Sequence, residues 1–283
     1  MGGSMAGALR DHCHEIIGID NDPAALAFAK SRSFIHREAA FAPALAAADL
    51  LILATPVRTI LDHLNQLSHS AFIIHHSSFI IDLGSTKQEI TSAMSKLPAH
   101  FDPLGGHPMC GKESGGITNA DPDLFRGKTF ALTPLERTTP RALTLAHELI
   151  SAIGAVPLIL SAERHDELAA VTSHLPYLTA AALMRAAESF NDEQLWQMTA
   201  SGFRDTTRLA ASDLTMMIDI LLTNRAALLD ALTHYRAELD SLAALIASAD
   251  PDSLRAALAP AQAKRAELFN SLGHQPSAIG HQH

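Results

Sequence analysis

The chain changes rhythm at Ser161, and that change limits its architecture more than any other feature. Before it, short apolar runs alternate with helix-like stretches. "EIIGID" (15–20), "DLLILATP" (49–56) and "FIIDLGS" (79–85) are near-continuous apolar runs ending at an acid, a proline or small residues, the pattern of parallel strands buried on both faces. Pro23 opens the alanine-rich "PAALAFAKSR" as a first-turn proline, a second helix follows around 57–67, and "STKQEITSAM" begins a third, with Ser85 or Thr86 as its expected cap. "FDPLGGHPM" (101–109) and "KTFALTP" (128–134) read as strand plus turn, "TPRALTLAHELISAIG" as a helix ending on Gly154, and "AVPLILS" as a last strand. Strands taking turns with helices give a mostly parallel sheet covered on both faces.

After Ser161 apolar residues recur only at helical spacing, as in the stripe Ile218, Leu221, Leu222, Leu229, Leu232, Tyr235, Leu239, Leu242 and Ile246. Pro176, inside "SHLPYLTAAAL", removes an amide donor and crowds the carbonyl of Thr172, so a kink or break is expected there. The expected fold is therefore α/β. A Rossmann-like, mostly parallel sheet domain covers 1–160, and an all-α domain covers 161–283, with the tail "GHQPSAIGHQH" frayed. Long unmatched apolar stripes on the helices point to a homodimer.

Composition narrows the function. Of the 283 residues 47% are hydrophobic, enough for two cores. A net charge of -9 without a basic run argues against nucleic acid as a partner. The only cysteines, Cys13 and Cys110, form no CxxC pair, which excludes a disulfide framework and a thiolate metal cluster. The apolar runs are too short to span a bilayer and no secretion signal is evident, so a cytoplasmic enzyme without membrane contact is expected.

Three stretches carry chemistry. Asp20 ends a strand just before a helix, where a carboxylate accepts both ribose hydroxyls of a dinucleotide and repels a 2′-phosphate, although such an acid is also common in solvated loops. Upstream, "MGGSMAGAL" places Gly2 where the last glycine of GxGxxG stands, with the following helix turned by its amino end toward a pyrophosphate. "GGHPMCGKESGG" (105–116) is the densest candidate. Its glycines permit close backbone approach to a ligand, and Pro108 stiffens the segment holding His107 at a strand end, where a near-neutral imidazole suits general-base work. A structural histidine in a glycine-rich loop is the plain alternative, and Cys110 beside it reads as packing. "SGFRDTTRLAASD" (201–213) sets Arg204 and Arg208 four apart, on one face if the segment is helical, with Asp205 placed to hold one of them; a guanidinium there is a fork for a carboxylate or part of a structural ion pair between helices.

Together with "GID", "ILATPV", "DLGSTK", "LFRGKTFALTP", "SHLPY" and "NR" at 224–225, these stretches resemble the prephenate/arogenate dehydrogenase family of tyrosine biosynthesis. The resemblance implies oxidative decarboxylation of a cyclohexadienol, with hydride passing to NAD and aromaticity driving loss of CO2, without a metal. It implies His107 as the catalytic base and Ser85 as the residue that positions the hydroxyl and the base. It also implies Arg208 on a substrate carboxylate, Ser173 and His174 as polar residues of the cleft, and Glu113 as a gate. Cofactor contacts fall to Gly2, Gly3, Ser4, Asp20, Ala54, Thr55, Pro56 and Ser85. Tyr177 stands where some relatives carry a second histidine, Met217 where many carry tryptophan, and Leu214 in place of the usual proline, so all three alter the pocket wall. The family's fingerprint further implies a first strand and two glycines upstream of Met1. A different hydroxy-acid dehydrogenase of the same layout, or an inactive binding protein, are the competing expectations.

Overall fold

The computed structural model describes residues 1–69, 78–111 and 115–271. In chain order the elements are α1 (Gly2–Leu9), β1 (Ile17–Gly18), α2 (Pro23–Ser31), β2 (Arg37–Glu38), α3 (Phe41–Ala47), β3 (Leu50–Leu53), α4 (Val57–His69), β4 (Ser78–Asp82), α5 (Gln88–Met94) and β5 (Phe101–Pro108). They continue as β6 (Thr129–Pro134), α6 (Pro140–Ala152), β7 (Val156–Ile159), α7 (Ala162–Ala169), α8 (Leu175–Glu188), α9 (Glu193–Gln197), α10 (Ser201–Thr207), α11 (Leu214–Thr223), α12 (Arg225–Ser248) and α13 (Pro251–Ser271). Among the described residues no strand follows Ser161, as the loss of alternation predicts. The tail expected to fray lies outside the described residues. Two compact units result, Met1–Leu229 and a second from Asp230 onward.

The main sheet has the order β3-β4-β5-β6-β7, with only β5 and β6 antiparallel, and β1 pairs with β2 in a separate parallel ribbon. β1 and β3 are thus edge strands of different sheets, and β1 keeps only two of the six residues of "EIIGID".

Along β4 successive side chains enter cores on opposite faces of the sheet. Phe79 and Ile81 of β4 join Met5, Leu9, Leu104, Phe130, Leu132, Ala142, Ala146, Leu149 and Ile150 under α1 and α6. Ile80, one residue out of phase, joins Leu51, Leu53, Ile60, Leu64, Leu67, Ile90 and Met94 under α4 and α5. Every residue of β4 is buried, which is why its run reads as continuously apolar. α2 begins as its sequence predicts, with Pro23 in the first turn; α6 likewise opens on Pro140, and Asp22 and Thr139 accept backbone hydrogens as the caps of the two helices. Gly154, beyond α6, has φ +69, a conformation that costs glycine little.

Pro176 acts as expected, and its solution is specific. Between α7 and α8 the chain widens into a π turn, Ala170–His174, so the proline sits in the first turn of α8, where a missing amide donor is tolerated.

Candidate active site

β3, β4 and β5 run parallel, so their carboxyl ends share one edge of the sheet. β5 outruns its neighbour. Ile81 lies opposite Leu104, β4 stops at Asp82, and Gly106, His107 and Pro108 project beyond it, held on the far side by β6 with His107 opposite Ala131. Two fully buried charges fix this projection. Asp82 accepts the amide hydrogens of Gly84 (2.7 Å) and Gly106 (3.1 Å), while Lys87 pairs with Asp82 and donates to the Gly106 carbonyl (2.6 Å). Burial pulls the Lys87 pKa down, and Asp82 followed by Asp166 pushes back. "DLGSTK" is therefore a brace for the strand that carries His107.

The glycines of "GGHP" differ from expectation. A Cβ on Gly105 would lie 2.1 Å from Thr133 Oγ1, and one on Gly106 would lie 2.6 Å from the Asp82 carbonyl oxygen. Neighbouring strands, rather than a ligand, require these two glycines.

Behind His107 stands a chain of polar groups. His107 Nδ1 is 2.9 Å from His165 Nε2, and His165 Nδ1 is 2.8 Å from Asp166 Oδ1. Asp166 also accepts the backbone hydrogens of Lys87 (2.7 Å) and Gln88 (2.9 Å). This corrects the expected cap of α5. Neither Ser85 nor Thr86 caps the helix; a carboxylate from α7 does so across the fold, and the Thr86 hydroxyl bonds that of Thr223 instead (2.8 Å). Burial, then His165, Lys87 and His174, holds the His107 pKa well below the ordinary histidine value, so the ring is neutral at pH 7.

His174, on the π turn, is 1% exposed, and burial lowers its pKa to about 4. The Asn224 amide group donates to the Asp166 carbonyl (2.7 Å) and to His174 Nδ1 (3.1 Å), so "NR" ties α11 to α7 and to the π turn. His165, Asp166, Lys87 and Asp82 are buried polar neighbours of the His107 strand that sequence reasoning did not single out. "SAERHDELA" reads as a charged helix start; only the acid and lysine bracketing "DLGSTK" left a legible signal.

The remaining candidates divide. Ser85 lies in the β4–α5 loop at the same sheet edge, partly buried. Ser173 is exposed. Tyr177 packs its ring with Met217 and Ile220, flanked by Leu209, so two of the departures from the family pattern touch one cluster, whereas Leu214 is exposed. Arg208 is exposed and, with αR backbone, opens a 3-10 turn directly after α10, while Arg204 has Asp205 as its partner at 3.5 Å. Glu113 lies outside the described residues. Burial pushes both the Cys110 and Cys13 thiols up, consistent with packing rather than nucleophilic roles.

At the cofactor segments, α1 starts without a side-chain cap, leaving its first amides available, and Gly2 approaches Ala54 so closely that a Cβ would sit 3.2 Å from that of Ala54. Gly3 is packed against Ile117 and Ala120. Ser4 is buried, and its hydroxyl accepts from Asp121 N (3.0 Å). Asp20 is exposed beyond β1, with one oxygen holding the turn at Asp22 N (2.9 Å). Thr55 and Pro56 are exposed after β3, and Asp219 from α11 reaches the start of α4 at Arg58 N (3.1 Å). An open helix start, a close glycine and an acid past a strand end fit a dinucleotide. A cavity of about 370 Å³ lies at the opposite edge, lined by Leu50, Phe79 and Asp102 among others, and contains none of these residues.

Two family models cover most of the chain. The prephenate dehydrogenase nucleotide-binding domain matches residues 5–159 and the prephenate dehydrogenase dimerization domain matches residues 161–260. The prephenate dehydrogenase of Bacillus subtilis (strain 168) is 34% identical over 262 residues, 90% of this chain and 70% of that protein. A crystal structure of prephenate dehydrogenase from A. aeolicus, in complex with hydroxyphenyl propionate and NAD+, superposes with a TM-score of 0.87 at 30% identity, covering 95% of this chain and 94% of the other. Synechocystis arogenate dehydrogenase does so with 0.80 at 29% identity, over 94% and 95%.

Proposed function

The chain belongs to the prephenate dehydrogenase family, and from that we propose that it carries out the NAD-linked oxidative decarboxylation of prephenate or arogenate in tyrosine biosynthesis. One observation carries the assignment to a site. The neutral His107 ring stands at the projecting end of β5, bonded through Nδ1 and with no partner on Nε2 among the described residues. Its Nε2 takes the proton of the substrate's ring hydroxyl. NAD, when bound, supplies the acceptor for the hydride leaving the same carbon. Loss of CO2 then sends an electron pair into the ring, and the phenolate oxygen recovers its proton from His107. Ser85 orients the hydroxyl and the base. Arg208 binds a substrate carboxylate as a rigid charged fork, and Ser173, His174, Tyr177 and Met217 belong to the substrate pocket and its wall.

The cofactor would be held by the amino end of α1 with Gly2 and Gly3, by Asp20 on the ribose, and by Ala54, Thr55 and Pro56 after β3. Residues 1–160 form the cofactor domain and 161–283 the substrate domain in this reading. The enzyme works in the cytoplasm; no described helix is long and apolar enough to cross a membrane.

The direct test measures cofactor reduction with prephenate, with arogenate and with neither, in NAD and in NADP. Turnover is expected with NAD and at least one substrate, and kcat/KM should be lower with NADP because Asp20 faces the 2′-phosphate with like charge. Absence of turnover with both substrates would overturn the proposal.

Arg208→Ala should raise the substrate KM with little change in kcat, because a charge-assisted pair made equally in ground and transition states is lost. A fall in kcat at constant KM would remove the arginine from the carboxylate.

We also propose a homodimer through the helical part. Ile218, Leu222 and Leu229 in the first unit, and Leu239 and Ile246 in the second, are all exposed, apolar surface that a second copy would cover. Light scattering at micromolar concentration should return about twice the chain mass.

A further inference from the structure

We propose that His165 and Asp166 are positioning residues that set the tautomer of His107, so that its hydrogen sits on Nδ1 and its open nitrogen, Nε2, is a base. The proposal rests on the assignment of His107 as the proton acceptor, and deepens it.

The hydrogen positions follow from the partners, starting at Asp166. Its Oδ1 and Oδ2 accept the backbone hydrogens of Lys87 and Gln88. A carboxylate so placed only accepts, so the nitrogen 2.8 Å from it, His165 Nδ1, carries a hydrogen. A neutral His165 then offers a lone pair at Nε2. His107 Nδ1 lies 2.9 Å from that lone pair and donates to it. Which nitrogen of a histidine is protonated is set by the bond the other one makes, so His107 is left with an unprotonated Nε2. The opposite orientation requires His165 to be an imidazolium. It would then donate to His107 Nδ1 and place the hydrogen on Nε2, where no substrate proton could be received. It would also put a charge on a ring that is only 2% exposed.

The same line of groups serves the proton once it has arrived. An imidazolium at His107 keeps its Nδ1–H bond to His165, and the carboxylate of Asp166 faces the added charge through one intervening ring. Asp166 cannot drift from this task, because the backbone start of α5 holds both of its oxygens.

The test combines a spectrum with kinetics on the full chain. A two-bond 1H–15N correlation spectrum of the NAD-free protein at pH 7.5, with the His107 signals assigned by their loss in His107→Asn, should show hydrogen on Nδ1 and none on Nε2. In His165→Phe, which keeps a ring but offers no acceptor, His107 should move toward the Nε2–H tautomer. In that variant kcat should fall about 10–100-fold, the range for a partner behind a functional histidine, with substrate KM nearly constant. His165→Gln, whose side-chain oxygen can accept from Nδ1, should recover much of that loss. A wild-type spectrum with the hydrogen on Nε2 would overturn the proposal, even if His165→Phe failed to fold. So would Phe and Gln variants that both turn over like wild type. An inactive wild type would instead sink the functional assignment, while the spectrum would still decide the tautomer.

Discussion

Replacing His107 with asparagine should lower kcat by roughly 10²–10⁴, the range for loss of a general base, while the Kd for NAD and the melting temperature stay close to those of the unaltered chain. Asparagine suits this test because its amide NH2 can still donate to His165 Nε2, as Nδ1 of the imidazole does at 2.9 Å. The polar chain behind the position is therefore kept, and only proton acceptance is removed. His107 sits on a strand whose backbone is fixed by Asp82, Lys87 and the ladder to β6, so the change has little structure to disturb. Steady-state kinetics with saturating cofactor, beside calorimetric titration of NAD, separate the two effects. A variant with kcat within a few-fold of wild type would remove His107 from the chemistry.

Asp82→Ala should be the most destabilising single change in the site region. It leaves the Lys87 ammonium buried at 0% exposure without its counter-charge, and it strips the amides of Gly84 and Gly106 of their acceptor. Breaking a buried pair from one side costs about 3–5 kcal/mol, because the orphaned charge bears its desolvation alone. For a protein of this size that corresponds to a drop in melting temperature on the order of 6–20 °C. Removing the cation as well, in Asp82→Ala with Lys87→Met, should restore part of the loss, since an apolar side chain of similar length tolerates the site. Denaturant unfolding of both variants measures this. If the single variant loses under about 1 kcal/mol, or the double variant is worse than additive, the pair does not brace β5 as described.

Much of the sheet was legible because its pattern is local. The continuous apolar run of "FIIDLGS" matches β4, with both faces buried, and Pro140 with Thr139 marks the start of α6 as a first-turn proline and cap should. His107 could be picked out from its neighbours in the chain. What escaped depends on contacts between distant segments. Nothing near Gln88 reveals that its helix is capped by Asp166, 78 residues away, and a nearby serine or threonine is the natural local guess. Gly105 and Gly106 look like room for a ligand until Thr133 and Asp82 are seen against them. Histidine 165 gives no local sign of a role, because its importance comes entirely from the rings and carboxylate the fold brings to it. Short elements such as β2 and α3, of two and seven residues, leave little room for a period to show.

The extension of β5 beyond β4 has a consequence for how such a protein can change over generations. His107 is carried by a sheet ladder, whereas Tyr177, Met217 and Arg208 come from helices and a 3-10 turn that follow Ser161. If His107 is the base and these three side chains form the substrate wall, as proposed, substitutions that reshape the wall need not displace the group that handles the proton. Selection for a new side chain on the substrate can act on the helices alone, and inherited reactivity survives the exploration. Libraries for altered substrate preference should accordingly be built at 177, 208 and 217, with the strand from Phe101 to Pro108 left untouched.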